Sequence, residues 1–253
     1  MGCDTYIKHL DVVDSTNSYA RAEASRLCDE ASGKPIIAVV ADFQTAGRGQ
    51  RGNSWQSQQG SNLLLSIIVS PCRALEVKKQ FLLSQAAALA MHRAMKQYGI
   101  DVKLKWPNDI YVGNNKLAGI LVEIDYSGLS VEQAIVGIGL NVNQCEFHSM
   151  DRVPISMKML LDKEFAVDDV LVAVLNSFEY YYAVLLGRNR HMIAEEYKAH
   201  LLGLGKVCDF VDSAGHFKAV IEGVEPTGEL ILRRNDGIQR YMFKEVELLM
   251  AGI

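Results

Sequence analysis

The sequence lacks any CxxC pair: its five cysteines, Cys3, Cys28, Cys72, Cys145 and Cys208, are odd in number and far apart. That pattern argues against a disulfide framework and suits free thiols in a reducing compartment. The six histidines are equally scattered. A structural zinc site needs clustered soft ligands, so none is expected. An excess of one charge is missing too. The formal net charge is −4 and neither end carries a run of like charges, so nothing overall points to nucleic acid or an anionic membrane. The N-terminal MGCDTYIKHL has no charged segment followed by an apolar run, which a secretory signal requires. Tyr6 stands where a myristoylation signal prefers Ser or Thr. No apolar run reaches the ~20 residues needed to span a bilayer. A cytoplasmic protein is the expectation.

What is present is a chain of 253 residues, 49% hydrophobic, with material for a sizeable core. Asp14 or Ser15 can cap a helix that carries Tyr19, Ala20, Ala24 and Leu27 at helical spacing. The β-branched run from Ile36 to Ala41 reads as a buried strand, and Asn62 to Val69 as another. Between them, Gln44 to Ser61 is polar and glycine-rich, a long loop. Glu76 to Tyr98 reads as a long helix with Phe81, Leu82, Ala86, Leu89 and Met95 inward. Strands then follow at Leu104–Trp106, Ile110–Val112, Lys116–Tyr126 and Val131–Val142, and two or three helices between Pro154 and His200. Val170, Val174, Phe178 and Tyr181 form the apolar stripe of one of these helices. From Leu201 onward short strands alternate with turns such as Asn235-Asp236-Gly237, the pattern of a small β-barrel. The predicted fold class is α+β. A mixed sheet flanked by helices occupies residues 1–200 and a small β-barrel occupies 201–253.

Four segments bear on chemistry. Asp42 to Trp55 contains GRGQRG, in which Gly47, Gly49 and Gly52 permit close backbone approach. Arg48 and Arg51 offer planar permanent charges for phosphate or carboxylate, and Trp55 can cover a flat ring. No GKS or GKT follows, so this is not a Walker loop. Taken alone it also suits a solvated surface loop. Lys105 to Glu123 places Trp106-Pro107-Asn108-Asp109 in a tight turn, Lys116 just after the next turn, and Gly119 inside a strand. An ordinary hairpin with a solvated lysine reads the same way. Val136 to Asn143, VGIGLNVN, has Gly137 and Gly139 on one strand face, leaving room for a flat ligand or a close packing contact, with Asn141 beyond. Asp14 to Ala20 offers Ser15, Thr16 and Asn17, either as ligand hydrogen-bonders or as plain helix caps.

In this order, GRGQRG, KWPND, KLAGILVE and GIGLNVN, preceded by DSTN, resemble the catalytic domain of biotin–protein ligases over nearly the whole chain. The resemblance implies ATP-dependent conversion of biotin to biotinyl-AMP, then transfer of biotin to one lysine of a biotin carboxyl carrier domain. It implies that the terminal barrel is SH3-like. Ser15, Thr16 and Gln44 match positions that bond the ureido ring, with Asn17 and Gly119 on the same biotin side. Arg48, Gly49 and Gln50 match the segment that closes over biotin and the adenylate. Lys116 matches the lysine that contacts the biotin carboxylate and the reacting phosphate, making it, with Arg48, the catalytic candidate. Arg51, Trp55 and Asn141 join Arg48 and Lys116 on the nucleotide side. ATP and biotin are then substrates, Mg²⁺ accompanies ATP, and no protein metal site is implied. Many bacterial members have arginine where this chain has Gln50, which cannot repeat an ion pair with the adenylate. The rival readings are a lipoate or octanoyl ligase, and a non-catalytic biotin-responsive regulator. With DSTN starting at Asp14, no DNA-binding module is expected before it. Relatives often pair through the central sheet, which leaves a homodimer open.

Overall fold

The computed structural model describes residues 5–69, 75–147 and 153–250, without the side chains of Arg51 and Ser130. Its elements are β1 (Thr5–Val13), α1 (Thr16–Glu30), β2 (Ile36–Gln44), β3 (Leu63–Val69), α2 (Phe81–Gln97), β4 (Lys103–Lys105), β5 (Asp109–Val112), β6 (Asn115–Ser127), β7 (Ser130–Leu140), α3 (Met157–Leu161), α4 (Val167–Leu186), α5 (His191–Ala199), β8 (Val207–Asp212), β9 (Gly215–Val224), β10 (Leu230–Arg234), β11 (Gly237–Tyr241) and β12 (Val246–Leu248). The first seven strands form one sheet in the order β1-β2-β3-β7-β6-β5-β4. Among the described residues only β1 and β2 run parallel, so the sheet is mixed, as expected.

Side chains alternate across a strand, and here both faces are covered. On β2, Ile36, Ala38 and Val40 join the core built on α2 and α4, while Ile37 and Val39 pack with Ala20, Ala24 and Leu27 of α1. Two-sided burial is why LLLSIIV of β3 is an uninterrupted buried run rather than an alternating one. The α4 helix is long and apolar enough, by length and composition, to cross a membrane. That qualifies the expectation from apolar runs. Asp168, Asp169 and Glu179 interrupt it in sequence, and Val170, Val174, Phe178 and Tyr181 are buried in the core. Burial of that stripe identifies α4 as a core helix. Cys28, Cys145 and Cys208 are free thiols; Cys3 and Cys72 lie outside the described residues.

The C-terminal strands form a second, antiparallel sheet in the order β11-β10-β9-β8-β12. Among the described residues β11 and β12 do not pair, so the expected closed barrel is an open five-stranded sheet. Strand and turn spacing predicts the strands, but closure depends on tilt and stagger, which local sequence does not encode. This sheet is pinned to the first. Leu104 N–H donates to His200 O (3.0 Å) and Leu202 N–H to Leu104 O (2.9 Å). Trp106 Nε1 donates to Gly228 O at 2.9 Å, and the Trp106 ring meets Phe243 edge-on at 5.3 Å.

Candidate functional site

The floor of the site is built where α1 begins. Ser15 is the N-cap in an extended conformation, and its side chain accepts from Ser18 N–H, so the helix signal in DSTN is real. Capping leaves Thr16 and Asn17 in the first turn, buried against the sheet. Thr16 donates from N–H and hydroxyl to Gln44 Oε1, at 2.7 and 3.1 Å. Ser66 of β3 sets its hydroxyl 2.7 Å from Thr16 Oγ1 and 2.5 Å from Asn17 Oδ1. Asn17 Nδ2 donates to Glu123 Oε2 at 2.9 Å. Each buried polar group is satisfied, so the network holds one arrangement. Gly137, which pairs with Ser66 across β3 and β7, makes this possible. A methyl there would overlap the Asn17 carboxamide, with Asn17 Cγ only 3.0 Å away.

One step along the same face, Gly119 and Gly139 lie opposite each other across β6 and β7. They form a trough without side chains, and the Trp55 indole fills it. A methyl at Gly139 would stand 2.7 Å from Trp55 Cδ2, and one at Gly119 3.3 Å from Trp55 Cζ3. The glycines expected to permit a close approach therefore do so, toward an aromatic ring of the loop. The loop closes on itself: Trp55 N–H donates to Gly47 O (2.9 Å), Gly49 N–H to Asn53 O (2.6 Å), and Arg48 bridges Ser54. Trp55 Nε1 is buried and has no acceptor among the described residues.

Two ion pairs flank the trough. Lys116 Nζ lies 2.6 Å from Asp109 Oδ1 and 5.7 Å from the Trp55 ring centroid. Asp109 is nearly enclosed while Lys116 is partly open, so the cation faces the cleft. Arg48 Nη2 lies 3.0 Å from Glu123 Oε1. Asp109 is held by the KWPND turn, where Asn108 Nδ2 donates to Ile120 O at 2.6 Å. Together these elements and the C-terminal sheet, through Asp212, Arg240 and Lys244, enclose a cleft of about 1050 Å³. Small-molecule sites run to ~300–1,000 Å³, so this cleft has room for an acid beside a nucleotide. Among the described residues no three His, Cys, Asp or Glu side chains converge as a metal centre.

Ser15, Thr16, Asn17 and Gln44 line this cleft, and so do Arg48, Gly49, Gln50 and Trp55 of the loop and Lys116 and Gly119 of the sheet. Arg51 has its side chain outside the described residues. Asn141 does not line the cleft. Its Nδ2 donates to Ile155 O (3.1 Å) and Lys116 O (3.5 Å), and its N–H to Leu117 O (3.0 Å). Its task here is to hold the strand that carries Lys116, because a buried amide between two carbonyls has no donor left to offer. Sequence reasoning also passed over Lys105, which lines the cleft, and Ser66 and Glu123, which support its lining residues from behind. Ser66 sits in an apolar run that signals only a strand. Glu123 closes the KLAGILVE segment without a distinguishing spacing. Lys105, buried on the cleft with Nζ 5.1 Å from the Tyr111 ring, adjoins a turn whose proline and asparagine drew the reading.

The profile of the biotin/lipoate A/B protein ligase family matches residues 10–141. The bifunctional ligase/repressor BirA of Bacillus subtilis is 31% identical over 247 residues, covering 96% of this chain and 74% of the relative. The biotin–[acetyl-CoA-carboxylase] ligase of Paracoccus denitrificans is 30% identical over 246 residues, covering 94% and 98%. The solved structure of biotin protein ligase from Aquifex aeolicus in complex with biotin and ATP is similar with a TM-score of 0.78 at 26% identity, covering 96% and 98%. Half the chain falls under one family profile and nearly all of it aligns with these relatives, so the chain belongs to the biotin/lipoate A/B protein ligase family.

Proposed function

We propose that this protein activates biotin with ATP to biotinyl-AMP and transfers the biotinyl group to a lysine of a biotin carboxyl carrier domain. The observation that carries this reading is the juxtaposition in one cleft of a neutral hydrogen-bonding floor and a lysine facing it across a glycine trough. A ureido ring is flat, uncharged and bonds through one carbonyl and two N–H groups. Ser15 and Gln44 offer uncharged donors and acceptors there, and Thr16 and Asn17, bonded to Gln44, Ser66 and Glu123, hold that floor in shape. A dithiolane or a plain alkyl chain has nothing to pair with them, and leaving such groups unpaired disfavours the rival acids.

In the first step a biotin carboxylate oxygen attacks the α-phosphorus and pyrophosphate leaves with the bonding pair. Two anions must approach, and Lys116 Nζ offsets their repulsion and the charge that grows on the α-phosphate oxygens. Mg²⁺ accompanies the triphosphate, where it needs few protein ligands. In the second step the neutral amine of the carrier lysine attacks the acyl carbon, an amide forms and AMP departs. The loop from Gly47 to Trp55 keeps water from the mixed anhydride between the steps. Residues 1–200 thus supply the floor, the lid and the lysine, and residues 201–253 the opposite wall.

Exchange of labelled pyrophosphate into ATP tests the acid. Biotin is expected to drive it and lipoate or octanoate to leave it at background, followed by a mass increase of an apo carrier domain by one biotinyl group. Exchange with lipoate and none with biotin would sink the proposal. Gln50 gives a second test. An arginine in its place adds a cation to the lid, and a charge-assisted hydrogen bond to the adenylate would slow release of biotinyl-AMP about tenfold or more. Unchanged release of preformed adenylate in a chase experiment would remove position 50 from retention.

A further inference from the structure

Glu123 joins the floor to the lid. Its Oε2 accepts from Asn17 Nδ2 at 2.9 Å and lies 3.4 Å from Arg48 Nη1, while its Oε1 accepts from Arg48 Nη2 at 3.0 Å. Arg48 Nη1 also lies 3.5 Å from Ser18 Oγ on α1. The Glu123 side chain is 19% exposed and that of Arg48 46%. One largely buried carboxylate therefore spends one oxygen on the residue beneath Gly137 and the other on the first turn of the loop. The loop is strapped between Gly47 and Trp55 and between Gly49 and Asn53, so Arg48 cannot move far without carrying Trp55 with it.

We infer that Glu123 is a positioning residue that seats the lid through Arg48 and at the same time orients Asn17, so that the order of the floor and the closure of the lid are coupled. The inference rests on the reading of the loop as a lid over the acid and its adenylate. It gives Arg48 a second task, as the lid's anchor, besides any charge it presents to phosphate. A carboxylate is required because its charge holds the guanidinium while its second oxygen is shared with the neutral amide.

Glu123→Gln separates the two contacts, since glutamine keeps an acceptor for Asn17 and loses the charge for Arg48. Trypsin cleavage at the Arg51–Gly52 bond reads the lid directly, without ligand and with biotin plus ATP. Glu123→Gln is expected to speed cleavage about fivefold, the scale of one half-exposed ion pair. Release of preformed biotinyl-AMP is expected to rise by a similar factor, while biotin-dependent pyrophosphate exchange at saturating substrate changes less than about twofold. In an Arg48→Ala background the same substitution should add nothing to cleavage. Thermal unfolding of each variant establishes that it is folded. Cleavage equal to wild type overturns the inference. So does an equal effect in both backgrounds, or faster exchange, which would make Glu123 a brake on Arg48. Absence of biotin-driven exchange in the wild type would count against the ligase reading alone, because ligand-free cleavage still decides whether Glu123 seats the loop.

Discussion

Replacing Lys116 with alanine is expected to slow biotin-dependent pyrophosphate exchange by about 10²–10³-fold, the usual cost of removing one donor aimed at developing charge. The effect should fall on turnover more than on the apparent KM for biotin, because the ammonium counts most when the carboxylate and the phosphate approach. Two features give the prediction its size. Lys116 Nζ sits at the rim of the glycine trough, 3.3 Å from where a methyl on Gly119 would be, and beside the Trp55 ring, so its charge is presented where the loop meets the sheet. Its partner Asp109 is buried beside it at 2.6 Å, which fixes the ammonium in place. The same pairing predicts a secondary loss of stability, since alanine leaves that carboxylate without this cation. Equilibrium binding of biotin separates the two effects. Exchange within a few-fold of wild type, in a variant that melts normally, would remove Lys116 from the chemistry.

Gly137→Ala should be nearly as damaging by a different route. The added methyl collides with the Asn17 carboxamide, which Ser66, Glu123 and the Leu121 carbonyl hold on its other sides. With no slack, Asn17 must turn away, and overpacking plus a broken charged hydrogen bond costs about 2–4 kcal/mol. For a chain of this length that corresponds to a fall in Tm of roughly 5–15 °C. Biotin affinity should fall about 100-fold, because the floor loses Asn17 and, through Ser66, the setting of Thr16. Calorimetric unfolding and biotin titration check both figures. A stable variant that binds biotin normally would show that the floor tolerates a side chain, contrary to the geometry.

Much of the site was legible in the sequence because its residues announce themselves locally. DSTN carries a capping signal, GRGQRG a charge and glycine signal, and alternating glycines on one strand a missing face. What stayed hidden is long-range. Ser66 touches residues 50 and 49 positions away, and within LLLSIIV it reads only as one more buried position. Glu123 meets Arg48 across 75 residues, and nothing near either one names its partner. The same holds for the fold. Strand β1 was not anticipated, because TYIKHLDVV lies at a sheet edge with a mixed burial pattern in place of alternation. Three-residue β12 is too short to carry a period. Asn141 was placed near a nucleotide by likeness to relatives. Here its bonds go to backbone carbonyls, where it serves Lys116 from behind.

The protein contains only two tryptophans, and they occupy the two joints of the cleft. Trp55 rides on the loop and lies in the trough, whereas Trp106 is tied to the C-terminal sheet through Gly228. Tryptophan fluorescence, excited selectively above the tyrosine band, therefore has two separable origins. Conservative replacement of either ring by phenylalanine leaves one indole: Trp106 for the seam between the sheets, Trp55 for the opening of the loop. A stopped-flow trace of the unlabelled protein thus contains the order of those two movements.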